Sequence, residues 1–407
     1  MNDRVFYGWW IVISGCIISL MVRGTIVSGF TAFFDPIAKE FGWSSTQVST
    51  AVSIRGIVLG LLSPVVGFLV GRFGARFMIL TGILIIGGGF VYLSGTQSLG
   101  MFYGGFAMLA IGMNCCTAIV LLALMASWFR RKISTATGIL MSGFGASGLL
   151  VWLIAWLIDQ YQWRVSFLLL GLAIWLVGIP LSLVIRNSPC MDDRAPDGDF
   201  NCTPVSCSHG ELARPGVKLL LGRGAFWRIA ACEAARMAAV SAVLTHIVPY
   251  LTRMGMSRTV SVSIASVLPV LSIAGRVGFG LLGDRVSKRA VLSIALLCLA
   301  VGMLSLVGEN ALSVLGFLLF FPLGHGGTAT LRGPILLERF GNPGFSRAIG
   351  LVVGIGMAGS AIGPFIAGRA LDMTGQYKAA WYVLTLGILL AAAFLLQLPR
   401  LQRRPDL

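Results

Sequence analysis

Residues 271–289, LSIAGRVGFGLLGDRVSKR, set a lone arginine, Arg276, inside an apolar helical run and close that run with a basic turn. An arginine at the middle of a membrane helix is unfavourable by about 2.5 to 3.5 kcal/mol on insertion scales, so it faces a cavity, a partner or a ligand. Arg276 is therefore the first functional candidate. The turn at 280–289, GLLGDRVSKR, has an earlier copy at 67–76, GFLVGRFGAR. Gly280 follows Gly67, Arg285 follows Arg72 and Arg289 follows Arg76 by the same offset, 213 residues. A constant offset marks a tandem repeat of two halves.

The composition fits that reading. Of 407 residues 57% are hydrophobic and only 11% charged, and the mean hydropathy is +0.88, too apolar for a soluble domain of this length. The net charge of +16 would suggest nucleic acid in a soluble protein. Here the basic residues cluster in short turns between apolar runs, the positive-inside pattern of a multi-pass membrane protein, which excludes a nucleic-acid partner and names the lipid bilayer instead.

Runs of about 20 apolar residues can cross the hydrocarbon core as helices. Twelve are placed, at about 9–33, 46–70, 77–95, 101–127, 133–158, 164–185, 226–250, 259–282, 290–308, 312–337, 345–368 and 379–398. The fold class is all-α integral membrane, twelve transmembrane helices in two six-helix pseudo-symmetric halves. The division is 1–186, a linker at 187–224, and 225–407 with a short tail. With the N-terminus inside, 20 Lys and Arg fall on the linker side, six on the other and five within the spans. The expectation is an inner-membrane protein with both termini and the linker cytoplasmic. The first apolar run is too long for a cleavable signal. The linker holds Cys190, Cys202, Cys207 and His209. Their C-x4-C-x-H spacing matches no standard zinc pattern, so free thiols are expected, with no metal and no cofactor.

Two six-span halves with a glycine and arginine turn after spans 2 and 8 resemble the major facilitator superfamily. The resemblance implies a secondary transporter that works by alternating access, with a monomer as the functional unit. It makes Gly67, Arg72, Arg76, Asp284, Arg285 and Arg289 the gating-loop motif. Gly71 stands where the first copy of that motif usually has an acid. A narrower resemblance, to bacterial monocarboxylate porters, rests on Tyr7-Gly8-Trp9-Trp10, Phe33-Phe34-Asp35-Pro36-Ile37, Ser127-Trp128-Phe129-Arg130-Arg131, Thr245-His246-Ile247-Val248-Pro249-Tyr250 and Gly275-Arg276. It implies that Arg276 binds a substrate carboxylate. Two coupling groups of the animal relatives are replaced: their span 8 aspartate by Ser272 and their span 1 lysine by a residue near Ser28.

The remaining polar residues of the spans divide between function and packing. Arg276 either meets a carboxylate through a two-pronged fork or is a structural arginine satisfied by backbone carbonyls or a partner in another helix. Arg23 and Arg55 either line the same path or pair elsewhere. Asn114 either hydrogen-bonds substrate or bridges helices. His246 is a candidate for substrate or proton contact, and His325 and Glu233 are further proton-coupling candidates. Glu233 and Arg236, spaced i, i+3, can instead pair on one helix face, which would keep the acid ionised.

The expected cargo is a small organic anion, a monocarboxylate, moving with protons. The alternative is a proton-driven efflux antiporter for drugs or metabolites. Many exporters of the superfamily carry a proline beside the span 5 glycines, which 143–148, GFGASG, lack. A non-transporting sensor would need a larger soluble region. An enzyme would need a convergent catalytic set, and none stands out.

Overall fold

The computed structural model describes residues 6–116, 118–187 and 217–397. The linker cysteines and His209 lie outside the described residues. Among the described residues eleven helices are long and apolar enough to cross a membrane. One of them, Ile133–Val184, has 52 residues. At 1.5 Å per residue it would run about 78 Å, more than twice the hydrocarbon core. It breaks at Gln162, whose φ of 64° is left-handed, so it is two spans and the total is twelve.

In chain order the spans are α1 (Tyr7–Phe41), α2 (Ser45–Phe73), α3 (Ala75–Ser94), α4 (Leu99–Trp128), α5 (133–161), α6 (162–184), α7 (Gly224–Arg253), α8 (Arg258–Arg285), α9 (Lys288–Gly308), α10 (Ala311–Gly341), α11 (Gly344–Thr374) and α12 (Lys378–Leu396). A short helix, Val217–Leu221, precedes α7. The α10–α11 corner turns at Gly341, where φ is 65°. That conformation is open to glycine at little cost.

Helix α1 runs eight residues past the expected end at 33, through Pro36 to Phe41. The extension is amphipathic, burying Phe33 and Ile37 while Lys39 and Glu40 face outward, so it continues beyond a purely apolar run. Inside α1 the residues Gly24–Ser28 form a π-turn. Such a turn widens the helix and exposes carbonyls to outside donors.

Neighbour pairs repeat between the halves. In α1–α6, Gly143 of α5 lies on the Cys16 carbonyl of α1, and Gly82 of α3 on the Gly112 carbonyl of α4. In α7–α12, Gly359 of α11 lies on the Ala234 carbonyl of α7, and Gly302 of α9 on the Phe321 backbone of α10. Small residues let these backbones approach where lipid supplies no hydrophobic force between helices.

The halves meet at two crossings, α5 with α8 and α2 with α11. A Cβ on Gly138 would lie 2.4 Å from the Arg276 carbonyl oxygen, and one on Gly67 would lie 2.5 Å from the Ser346 carbonyl oxygen. These contacts run from mid-membrane to the side that carries the linker. The polar contacts of the opposite, far side stay within one half: Glu40 with Arg164, Lys378 with Glu309, and the Tyr250 hydroxyl with the Leu306 carbonyl. The halves are thus joined on the linker side.

Candidate functional site

Arg276 is placed by a chain of close approaches. Gly275 of α8 packs on Leu323 of α10 with no room for a side chain, and Gly326 packs back on Ser272 and the Arg276 nitrogen. Arg276 is 5% exposed. Its Nε donates to the Ser272 hydroxyl at 3.2 Å and its Nη1 to the Met141 carbonyl of α5 at 2.5 Å. Five N–H donors are available to an arginine. Two are used by these bonds, and the group still lines a cavity. Ser272 accepts from Arg276 and donates to the Pro269 carbonyl. It leaves the arginine's charge unneutralised.

The cavity lies between α1 and α5 of one half and α7, α8 and α10 of the other, with about 350 Å³ of atom-free space, its mouth included. Arg23, Arg276 and His325 are its polar lining. Among the described residues no acidic side chain lines it. Arg23 stands with its guanidinium carbon 5.9 Å from the centre of the Phe144 ring, a cation–π contact, and makes no hydrogen bond or ion pair to another described residue. His325 stacks on Phe321, and its Nδ1 is buried without a partner. The structure therefore brings together Arg276, Arg23 and His325.

The other candidates are placed elsewhere. Arg55 donates from Nη1 to the Ile26 carbonyl in the π-turn, at 2.5 Å, fixing α2 to α1 one turn beyond Arg23. Asn114 bridges α4 to α2, donating to the Leu59 carbonyl at 2.9 Å and accepting from Ser63 at 3.3 Å. Ser28 bonds Ser147 of α5. His246 sits toward the far end of α7, 3.2 Å from both the Tyr377 hydroxyl and the Pro364 carbonyl. A carbonyl only accepts, so Nε2 donates to Pro364. Burial holds the Tyr377 phenol above its ordinary pKa, so it stays a donor. Both ring nitrogens of His246 are occupied.

Glu233 is bound twice. Arg236 of the same helix forks onto it at 2.9 and 2.6 Å, and Arg332 of α10 reaches it at 2.5 Å. The cluster carries one net positive charge. The i, i+3 spacing foretold Arg236, but Arg332 belongs to another helix 99 residues away and only packing makes it a partner.

In the linker-side motif, the Asp284 carboxylate accepts from the Ser134 and Thr135 amides, each at 2.9 Å, capping α5 across the halves. Those amides are among the four that a helix start leaves unpaired. Gly71 at the first copy has nothing within 4 Å of where a Cβ would stand. The α2–α11 crossing has instead Arg347 over the Phe68 ring at 5.3 Å. Sequence reasoning also missed Met141, which acts through its carbonyl, and Phe144.

Twelve membrane-crossing helices among the described residues, in two half-bundles with a basic cavity between them, have the architecture of a membrane transporter. The chain belongs to the Major Facilitator Superfamily, whose family profile matches residues 16–330 and, overlapping, 270–406. Monocarboxylate transporter 13 of Bos taurus is 26% identical over 97% of this chain and 89% of its own. Monocarboxylate transporter 2 of Rattus norvegicus is 25% identical over 96% of this chain and 83% of its own. The E. coli fucose:proton symporter shares the fold at 12% identity, with a TM-score of 0.74 over 96% of this chain and 100% of that one.

Proposed function

We propose that this transporter carries a small monocarboxylate across the inner membrane together with a proton, by alternating access between the two halves. The observation that carries the reading is the mid-membrane cavity in which Arg276 and Arg23 keep unused donors and no acid neutralises them. A carboxylate accepts from two guanidiniums at once, and charge-assisted bonds of this kind are about twice as strong as neutral ones.

The linker and both termini are cytoplasmic in this reading, and one chain is the working unit. Arg276 grips the carboxylate and Arg23 approaches it from the other half, so loading ties the halves together through the cargo. A proton travelling with a monoanion leaves the net charge moved at zero, which removes a penalty of about 2.3 kcal/mol per charge per 100 mV. His325, facing the same space, is the proton-coupling candidate nearest the cargo. Glu233 is bound by two arginines and His246 makes two hydrogen bonds, so both serve packing. The names of the monocarboxylate transporter relatives support the cargo class.

The test is uptake of labelled monocarboxylates into proteoliposomes with and without an inward proton gradient, with dicarboxylates and a cationic drug as controls. Gradient-stimulated uptake of a monocarboxylate, lost in folded Arg276→Ala, is expected. Exchange of the drug for protons with no carboxylate movement would replace this reading with efflux.

A further inference from the structure

Apart from its three basic groups, the cavity wall is hydrocarbon: Phe144, Leu244, Leu268, Pro269, Phe321 and Pro322. We infer that the cargo's other end is hydrocarbon too, an aryl or branched aliphatic group, and that the site selects against 2-hydroxy acids and dicarboxylates. The inference rests on the anion-transport reading and narrows its substrate class.

Four hydroxyls near the cavity are already committed, and Ser19, one turn from Arg23, is buried without a partner. Ser147, Ser241, Ser272 and Thr328 each sit one turn from a lining residue, and each donates to a main-chain carbonyl at 2.6 to 2.8 Å. None of these four is left to donate to a polar substituent on the cargo. The polar contacts that remain are on Arg276, Arg23 and His325, at the end of the cargo that carries the carboxylate. A second polar group would therefore sit against Phe321, Leu268 or the prolines, desolvated and unpaired, which lowers affinity about tenfold or more. A phenyl or isobutyl group in the same place is removed from water and raises affinity by a similar factor. The two prolines and the Phe144 ring, held under the Arg23 guanidinium, make that wall stiff. The wall comes mainly from α7, α8 and α10, and Phe144 alone represents α5.

Isothermal titration of the purified full chain with phenylacetate, isovalerate, lactate and succinate tests this. Phenylacetate and isovalerate are expected to bind at least tenfold more tightly than lactate, with succinate no tighter than lactate. Leu244 is 45% exposed, so Leu244→Asn is tolerated by the fold. It adds an amide to the wall and should shrink the phenylacetate-to-lactate ratio several-fold. Lactate or succinate binding as tightly as the apolar acids, in an Arg276-dependent way, would overturn the inference and leave the anion reading standing. Failure of every acid to bind the folded protein would overturn both.

Discussion

The Arg276 guanidinium of α8 donates to the Met141 carbonyl of α5, 2.5 Å away across the junction of the two halves. The group that faces the cavity is therefore also a tie between the half-bundles. A carboxylate arriving at Arg276 meets the donors that Ser272 and Met141 leave unused, so loading adds to the tie across the α5–α8 crossing.

Arg276→Lys keeps the charge but loses the fork and cannot hold Ser272, Met141 and a carboxylate together. Its apparent affinity for a monocarboxylate should fall about tenfold or more, the loss of one charge-assisted bond of about 1.5 to 3 kcal/mol. Arg276→Gln should remove saturable uptake. Concentration dependence of proteoliposome uptake reads both.

Gly138→Ala and Gly67→Ala would each force a methyl group against a rigid carbonyl, at 2.4 and 2.5 Å. Overpacking of this kind costs about 1 to 3 kcal/mol, and here it falls on the state with the linker side closed. Both variants should raise the maleimide reactivity of a reporter cysteine at Gly71, a position with open space around it. Gly278→Ala, which meets nothing within 4 Å, should leave that reactivity unchanged.

Glu233→Gln strands Arg236 and Arg332 without their acid. Removing one partner from a buried ion pair costs about 3 to 5 kcal/mol, so a marked drop in melting temperature is expected. Adding Arg332→Gln restores the charge balance and should recover part of it. The double variant should still accumulate substrate on a proton gradient. Exchange without gradient-driven accumulation would instead make Glu233 the proton carrier.

Asp284→Ala uncaps α5, a loss of about 0.5 to 2 kcal/mol, and removes a tie between the halves on the linker side. Faster labelling of the Gly71 reporter and a shift toward the linker-open state are expected. Asp284→Asn, with one acceptor left, should fall between wild type and Asp284→Ala.

His246→Gln can donate to Pro364 and accept from Tyr377, as the imidazole does. It should retain proton-driven uptake, while His246→Ala should lose stability by leaving the Tyr377 hydroxyl and Pro364 carbonyl without their partner. Loss of proton stimulation in a stable His246→Gln protein would place the coupling site there.

The twelve spans and the repeat were legible in the sequence because membrane crossing is a one-dimensional requirement: about 20 apolar residues, closed by basic turns. The glycines of α5 and α11 were legible as small residues, the type that serves close helix approach. Which helix each one meets was not. Gly138 lies on Arg276 and Gly359 on Ala234, choices that depend on the arrangement of the whole bundle.

Residue type alone ranked Arg276, Arg23, Arg55, Asn114, His246, His325 and Glu233 as candidates, since each is costly in lipid and needs a partner. Only the tertiary structure decided which of them already had one. Arg55, Asn114, His246 and Glu233 are met by carbonyls, hydroxyls and guanidiniums of other helices, and Arg23 and His325 share a cavity with Arg276. A backbone carbonyl such as that of Met141 is the same in every residue, so its role has no mark in the sequence. The sequence determined where charge enters the membrane, and the packing determined which charge remains available to a ligand, because satisfaction of a buried polar group depends on atoms brought near from distant parts of the chain.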